Sequence, residues 1–225
     1  MLKSLYDKMW GDAFEKIKRN DLEIDKLIDD PNDSRRGITL QARPEKKILN
    51  NLNRFLSETR IIEPGQYYYL PGEIHVTVLS IINCHTGFNF SELNLPDYIE
   101  CIEKSIKNIK PFYIEFKGIT ASPSCILIQG FPENDSLELI RNILRTEFGN
   151  GSLYNSIDIR YRIKTAHSTV IRFREELKHS LNFLSLLEKY RDYNFGKTKI
   201  NQLELVQTDW YHKKEKVLIL NKFEL

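Results

Sequence analysis

Two short segments of the sequence combine a histidine with a threonine two positions later: His75-Val76-Thr77 and His167-Ser168-Thr169. Each lies in a run of apolar, mostly β-branched residues without proline, which is typical of a β-strand. In a strand, residues i and i+2 project from the same face. Each segment is therefore predicted to place one imidazole beside one hydroxyl, and two such strands facing each other would bring all four groups together.

Two imidazoles in one site can perform acid–base chemistry. The unperturbed pKa of histidine is near ~6.5, so one ring can accept a proton while the other donates one. This division suits in-line displacement at phosphorus, in which the attacking and leaving oxygens lie on opposite sides. The two threonine hydroxyls can donate hydrogen bonds to the non-bridging phosphate oxygens and stabilise the transition state.

Other features of the sequence argue against a bound metal or cofactor. It has no carboxylate cluster suited to Mg²⁺ and no Gly-x-x-x-x-Gly-Lys phosphate loop. The cysteines Cys84, Cys101 and Cys125 are far apart and lack C-x-x-C spacing, so we expect reduced thiols. We therefore expect neither a metal ion nor a cofactor.

Length and charge limit the class of protein without deciding its partner. The 225 residues suffice for one large domain or two small lobes. The 33 Lys and Arg residues nearly balance the 31 Asp and Glu residues, so a nucleic-acid partner is neither demanded nor excluded. The sequence has no run of about 18 apolar residues and no signal-peptide core. We expect an intracellular, cytoplasmic protein with no membrane partner.

Residues 1–36 are predicted to form an N-terminal helical appendage. Apolar residues recur there at three- and four-residue steps, which indicates one amphipathic helix, followed by a second short helix over 22–28. Acids and bases are mixed along the segment, which favours packing on the main domain or a partner over membrane binding. The main domain is then 37–225, beginning with a strand at 37–42 and a helix after Pro44.

The two motif strands are predicted over 73–82 and 157–173, with a break near Lys164 as an alternative for the second. Apolar periodicity and Gly, Pro and Asn punctuation locate the other elements. They are helices over 97–109, 136–148 and 174–191, and strands over 112–116, 125–129, 198–208 and 216–224. A left-handed glycine cap is expected at 149–152.

The element order indicates a duplicated lobe. Each half of the main domain runs motif strand, helix, strand, strand, and the two motif histidines lie 92 residues apart. Lobe one is centred on 73–130 and lobe two on 157–225. A pseudo-two-fold arrangement of these lobes would bring the motif strands together across a cleft.

The paired His-x-Thr motifs, each on an apolar strand in one half of a duplicated lobe, resemble the signature of the two-histidine (2H) phosphoesterase superfamily. This superfamily includes 2′-5′ RNA ligase-like and cyclic phosphodiesterase proteins. The resemblance covers about residues 37–225, and the final strands around 203–206 and 216–225 are also similar to those of the family. It implies a bilobal α+β fold, with two antiparallel-rich sheets flanking a central cleft and helices outside.

The resemblance also implies roles for the motif residues. His75 and His167 would be the acid–base pair, and Thr77 and Thr169 would bind phosphate. A small nucleotide or an RNA terminus carrying a 2′,3′-cyclic phosphate or a related phosphodiester would be the substrate, opened without a metal. Which histidine is the acid stays open, because it depends on the direction in which the substrate binds. The same site could run as a 2′-5′ RNA ligase, or belong to a nucleotide- or RNA-binding module with little turnover.

Aromatic residues near the motifs are candidates for base stacking, which contributes about 1–3 kcal/mol per base. We single out four of them: Tyr67, Tyr69, Phe131 and Tyr211. The alternative for each is packing in the core or at the rim. Trp210 and His212 lie beside the last of them in the same predicted hairpin. Arg172 has odd parity relative to His167, so its side chain should point away from the cleft unless the strand bulges.

Overall fold

The computed structural model describes residues 2–225, which form five α-helices and nine β-strands. The helices are α1 (Leu2–Lys18), α2 (Lys46–Ile62), α3 (Leu95–Ile106), α4 (Ser136–Asn150) and α5 (Ser180–Lys189). The strands are β1 (Arg36–Ala42), β2 (Tyr67–Tyr68), β3 (Val76–His85), β4 (Phe112–Ser122), β5 (Cys125–Pro132), β6 (Ser168–Arg172), β7 (Asn194–Ile200), β8 (Gln202–Asp209) and β9 (Leu218–Glu224). None of these helices is both long enough and apolar enough to cross a membrane.

The strands form two sheets, and every neighbouring pair is antiparallel. One sheet has the order β3-β1-β8-β9 and the other the order β2-β6-β5-β4-β7. Helices cover the sheets: α1 packs against β4, α2 against β7 and α4 against β3. The predicted α+β architecture with two antiparallel sheets is confirmed.

The sheets do not follow consecutive halves of the chain. β4 and β5 come after the first motif, but they lie in the five-stranded sheet beside β6 of the second motif. β8 and β9 come after the second motif, but they lie in the sheet of β3. Strands from 73–130 and from 157–225 therefore occur in both sheets. Apolar periodicity predicts where a strand lies, but strand pairing depends on register and burial across the whole fold. The sequence therefore did not show which strands share a sheet.

Both motif strands begin later than predicted. β3 begins at Val76 and β6 at Ser168, so each motif histidine lies immediately before its strand. The predicted strand over 157–173 is regular only in β6, and residues 157–167 are turns and irregular backbone. Arginine side chains of α4 donate to carbonyl oxygens in that segment, including Ile163 and Thr165, and so replace ladder hydrogen bonds.

The N-terminal segment contains one helix and one short turn. Tyr6, Ala13 and Ile17 of α1 are buried against the five-stranded sheet. The predicted second helix at 22–28 is a single 3₁₀ turn at Lys26–Asp29, in which the side chain of the preceding Asp25 accepts a hydrogen bond from the Leu27 amide at 3.0 Å.

Three further features of the second half differ from prediction. α5 begins at Ser180 rather than 174, because the carboxylate of Glu63 accepts the amides of Lys178 and His179 and holds that segment outside the helix. The left-handed cap after α4 does not form: Gly151 has φ of −89°, and the Asn155 side chain donates to the Phe148 carbonyl at 3.1 Å instead. The predicted strand at 198–208 is two strands, β7 and β8.

Candidate active site

A cleft of about 680 Å³ lies between the two sheets. β1 and β3 line one side and β5 and β6 the other, and further residues come from α1, 158–165 and 210–212. The four motif residues all line it: His75, Thr77, His167 and Thr169. The fold thus brings together two motifs that lie far apart in the sequence.

His75 is held by the turn that precedes β3. Its Nδ1 lies 2.7 Å from the carbonyl oxygen of Glu73. Because a carbonyl oxygen only accepts hydrogen bonds, Nδ1 carries a proton, and the neutral ring presents Nε2 as an acceptor. His75 in its neutral form is therefore set up as a base.

The buried carboxylate of Glu73 holds this turn in place. It accepts hydrogen bonds from the Tyr67 hydroxyl at 3.1 Å, the Leu70 amide at 2.7 Å and the Lys214 amide at 3.0 Å. The last contact also joins the turn to the connection between β8 and β9. Glu73 therefore positions both the turn that carries His75 and the loop beside it.

His167 has a different partner. Its Nδ1 lies 2.6 Å from Oγ1 of Thr165, a buried residue. A hydroxyl can donate or accept, so this contact is compatible with a proton on either ring nitrogen. The two motifs are thus asymmetric: His75 has one neutral tautomer, whereas His167 can present either a donor or an acceptor to the cleft.

Thr77 lies on β3 and Thr169 on β6, each partly exposed in the cleft. Neither hydroxyl has a hydrogen-bond partner within residues 2–225. A hydroxyl that faces a cleft without an internal partner can donate to a ligand. Both hydroxyls are therefore available to an oxyanion that lies between the two histidines.

A buried arginine joins the two motifs. Arg141 on α4 is 2% exposed, and its Nη2 donates to the carbonyl oxygens of Thr77 at 2.9 Å and Thr165 at 2.8 Å. Its Nε donates to the Val78 carbonyl at 2.8 Å. Desolvation lowers the pKa of Arg141 to about 10, so it remains charged at neutral pH. Sequence analysis did not identify it, because it falls within the predicted helix 136–148 as one polar residue among apolar ones.

A third histidine lies against the first motif. The rings of His75 and His212 stack with centroids 3.9 Å apart and an interplanar angle of 26°. His212 follows β8 with φ of +57°, a region that non-glycine residues adopt uncommonly. Its Nδ1 is buried and has no hydrogen-bond partner in the described part of the chain. The sequence indicated an aromatic hairpin here but not this contact, because nothing local shows that the turn folds back onto His75.

Arg172 also reaches the cleft, although it lies an odd number of residues from His167. Thr169 and Ile171 pair with consecutive residues of β5, so Val170 is left out of the register as a β-bulge. Because of the bulge, the residues after Val170 project from the opposite face of the sheet to the one that strict alternation predicts. Arg172 lines the cleft, and its Nε donates to the Tyr69 hydroxyl at 3.3 Å. The strand bulges, which is the condition under which the sequence analysis allowed Arg172 to face the cleft.

Three of the four stacking candidates lie on the side of the fold near β2 and β5. Tyr69 lines the cleft. Tyr67 contacts Tyr69 edge-on at a centroid distance of 5.1 Å, and its hydroxyl donates to Glu73. Phe131 packs edge-on against Tyr6 of α1 at 5.4 Å. Of these three candidate rings, that of Tyr69 borders the cleft.

The last hairpin presents Trp210 to the cleft in place of the fourth candidate, Tyr211. Tyr211 is 1% exposed, and its hydroxyl accepts a hydrogen bond from Arg35 at 2.8 Å. Trp210 lines the cleft, and the guanidinium of Arg160 lies 3.8 Å from its ring centroid. An indole and a guanidinium plane can each stack on a nucleobase.

The cleft is basic, although the net charge of the chain is only +2. Its charged lining residues are Asp158, Arg160, Arg162, Lys164 and Arg172. The carboxylate of Asp158 is paired with Arg145, Nε to Oδ2, at 2.7 Å. The remaining cations give the cleft a positive potential that favours an anionic ligand.

Burial controls the protonation of both motif histidines. Desolvation lowers the pKa of His75 to about 4, against the opposing effect of its hydrogen bond to the Glu73 carbonyl. Desolvation, together with electrostatic repulsion from Arg141 and from the charged form of His75, lowers the pKa of His167 to about 4. Both rings are therefore neutral at pH 7. Among residues 2–225, no three His, Cys, Asp or Glu side chains are grouped so that they could hold a metal ion.

Several solved structures have a similar fold. TT0787 of Thermus thermophilus has 16% sequence identity and a TM-score of 0.61, and the match covers 84% of this chain and 97% of that chain. E. coli LigT complexed with 3′-AMP has 9% identity and a TM-score of 0.57, with 85% and 98% covered. ATU0111 from Agrobacterium tumefaciens str. C58, a conserved protein of unknown function, has 12% identity and a TM-score of 0.55, with 87% and 93% covered.

Other LigT structures contain ATP, NADP⁺ or phosphate. No protein-family model matches the sequence, and no curated protein sequence matches it. This chain shares its fold with TT0787 over 84% of its length and with E. coli LigT over 85%.

Proposed function

We propose that this protein is a metal-independent phosphodiesterase that acts on 2′,3′-cyclic phosphates or related nucleotide and RNA phosphodiesters. The observation that carries the proposal is the placement of both His-x-Thr pairs in one basic cleft. Two imidazoles and two unpartnered hydroxyls are the groups that in-line displacement at phosphorus needs. The fold shared with LigT, which has been solved with 3′-AMP and with phosphate, supports the same chemistry.

In the proposed reaction His75 is the general base. Its neutral ring keeps a proton on Nδ1, bonded to the Glu73 carbonyl, and offers Nε2 to a water molecule. The same carbonyl stabilises the imidazolium that forms when the water proton arrives. The positive charge of Arg141 lowers the pKa of His167, and its Nδ1 contacts a hydroxyl rather than a carbonyl oxygen, so we assign the acid role to His167. It donates its proton to the leaving ribose oxygen.

The bonds and protons balance in this scheme. Water oxygen forms a new bond to phosphorus and loses a proton to His75, while the phosphorus–ribose oxygen bond breaks and that oxygen takes a proton from His167. The product is a phosphomonoester beside a free ribose hydroxyl. Thr77 and Thr169 donate to the non-bridging oxygens, whose negative charge increases in the transition state.

The substrate's own charge supplies the protonation state that the mechanism needs. Burial keeps both imidazoles neutral at pH 7, whereas general acid catalysis requires one proton on the pair. A phosphodiester anion bound between the rings favours their charged forms and raises the pKa of the pair. Substrate binding therefore favours protonation of one histidine, which then acts as the acid. The basic lining of the cleft holds the remaining phosphates or the base-bearing end of the ligand.

A substrate panel in the presence of EDTA tests the proposal. It contains 2′,3′-cyclic mononucleotides, 2′-5′ oligonucleotides, 3′,5′-cyclic nucleotides, ADP-ribose-type phosphates and RNA ends with a 2′,3′-cyclic phosphate. We expect turnover of the 2′,3′-cyclic group, unaffected by EDTA and lost in the His75→Ala/His167→Ala double variant. Undiminished turnover in the double variant would overturn the mechanism.

The same panel separates the alternatives. Binding of nucleotides by the wild-type chain without turnover of any member identifies a binding module. Formation of a 2′-5′ linkage from an RNA 2′,3′-cyclic end and a 5′-hydroxyl end identifies ligase activity at the same site.

A further inference from the structure

The N-terminal helix α1 forms part of the wall of the cleft. Leu5 and Met9 line it beside the motif residues. They are four positions apart, so they lie on one face of the helix. Tyr6, next to Leu5, is 0% exposed. α1 therefore extends from the outside of the five-stranded sheet to the site itself.

The hydroxyl of Tyr6 bonds to the backbone beside the second motif. It accepts hydrogen bonds from the amides of Ala166 and Gly130, each at 3.2 Å, and donates to the Gly130 carbonyl at 3.0 Å. Ala166 is the residue immediately before His167. One side chain from α1 therefore connects the end of β5 to the backbone that carries the second histidine.

This connection lies where the regular sheet ends. Ile128 of β5 pairs with Ser168 of β6, and the same register continued by two residues would place Gly130 opposite Ala166. β6 begins at Ser168, so that pair lies outside the strand, and the Tyr6 hydroxyl bonds to it instead. A Cβ on Gly130 would lie 1.9 Å from the Ala166 carbonyl oxygen, which shows how closely the two backbones approach.

Other contacts fix α1 in this position. Thr120 of β4 donates its hydroxyl to the Tyr6 carbonyl at 2.8 Å. Asp7 is paired with Arg191 at 2.7 Å. The side chain of Asn20, just after the helix, exchanges two hydrogen bonds with the backbone of Leu177, at 2.9 and 3.0 Å. The helix is therefore held at Tyr6, at the next residue and just beyond its C-terminal end.

We propose that α1 is a component of the active site, in which Tyr6 is a positioning residue that holds His167 by bonding Ala166 to the end of β5. The inference rests on the proposed function and extends it to a segment outside the two motifs. A small displacement of an acid–base group costs a large part of its catalytic effect, so a loose Ala166 would lower turnover without removing any catalytic side chain. Burial raises the pKa of Tyr6 to about 12, so it keeps its proton throughout the assay range.

The variant Tyr6→Phe tests this role, because it removes the hydroxyl and keeps the ring. We expect kcat on a 2′,3′-cyclic nucleotide to fall on the order of tenfold while KM changes less than about twofold. We also expect the ring ¹H–¹⁵N signals and titration midpoint of His167 to change while those of His75 stay at their wild-type values. That selectivity distinguishes positioning from general loss of stability.

Tyr98→Phe is the matched control. Tyr98 on α3 is also buried, and its hydroxyl donates to the Tyr154 carbonyl at 2.5 Å, away from both histidines. It should lower the unfolding midpoint to a similar extent and leave kcat and the His167 signals unchanged. If Tyr6→Phe also leaves both unchanged, the proposal is wrong.

Two readouts do not depend on turnover. If the wild-type chain turns over no substrate, the proposed function fails, but the His167 signals of Tyr6→Phe still decide the positioning role. If Tyr6→Phe does not fold, hydrogen exchange in the wild-type chain decides instead. Protection of the Ala166 and Gly130 amides equal to that of β5 supports the proposal, and exchange as fast as in 161–164 overturns it.

Discussion

The imidazole rings of His75 and His212 stack with their centroids 3.9 Å apart and their planes 26° from parallel. The Glu73 carbonyl fixes the tautomer of His75 through Nδ1, and His212 covers one face of the ring. The two contacts together restrict both the tilt and the rotation of the imidazole. In the proposed mechanism this restriction keeps Nε2 directed at the attacking water.

The stack leads to a pair of contrasting variants. His212→Ala removes the flat surface against His75, and we expect turnover of a 2′,3′-cyclic nucleotide to fall on the order of tenfold. His212→Phe keeps a ring there and should stay within about threefold of wild type. Both variants bear the same left-handed backbone, so their comparison isolates the stack. Steady-state kinetics are the measurement, and equal rates for the two variants would contradict the prediction.

The assignment of base and acid predicts a leaving-group effect. His75→Ala and His167→Ala should each lower turnover of a 2′,3′-cyclic nucleotide by about 10²–10⁴. A nucleoside 4-nitrophenyl phosphodiester has a leaving group that needs no proton. On that substrate His167→Ala should recover most of its activity and His75→Ala should not.

The control for this experiment is His179→Ala, which alters an exposed histidine at the start of α5. It should match wild type on both substrates. Recovery by His75→Ala instead of His167→Ala would reverse the two roles.

Arg141 should be among the residues whose loss most destabilises the protein. Arg141→Gln leaves the carbonyl oxygens of Thr77, Val78 and Thr165 without their guanidinium donors. An unsatisfied buried polar group costs about 1–3 kcal/mol, so we expect the free energy of unfolding to fall by roughly 3 kcal/mol or more. Urea unfolding measures this change.

Arg54→Gln is the control for Arg141. Arg54 makes an exposed pair with Glu58 at 2.9 Å, which is worth less than about 1 kcal/mol. Equal unfolding free energies for the two variants would show that the Arg141 hydrogen bonds do not stabilise the folded protein.

Stability should depend on pH through the three cleft histidines. Burial lowers the pKa of His75 and His167 to about 4, and that of His212 well below its usual value. In the unfolded chain these histidines bind protons as the pH falls below about 6.5, whereas in the folded chain they stay neutral. The free energy of unfolding therefore falls as the pH falls from about 6.5 toward 4. Urea midpoints measured across this range give the slope.

The triple variant His75→Gln/His167→Gln/His212→Phe isolates this contribution. Its slope between pH 6.5 and 4 should be shallower than that of wild type. Burial raises the pKa of Asp209, which acts in the opposite direction and is present in both proteins, so the difference between the slopes is the test. Identical slopes would contradict the prediction.

Local patterns in the sequence predicted most of the strands and helices and singled out the residues that we propose to carry the chemistry. The His-x-Thr spacing places imidazole and hydroxyl on one side even though each histidine lies just before its strand. The apolar stripe of 136–148 predicted α4 because a helix buries every third or fourth residue whatever its partner. Such features follow from backbone geometry within a few residues, so the sequence alone was sufficient for them.

Tertiary structure decided the rest of the site. Arg172 enters the cleft through a bulge that depends on pairing with β5, and His212 meets His75 because a distant turn folds back. Arg141 and Tyr6 contact the motifs through hydrogen bonds to backbone atoms, which carry no residue-type signal. These relationships join residues remote in sequence, and their energies depend on register, burial and close approach, which exist only once both sheets have formed.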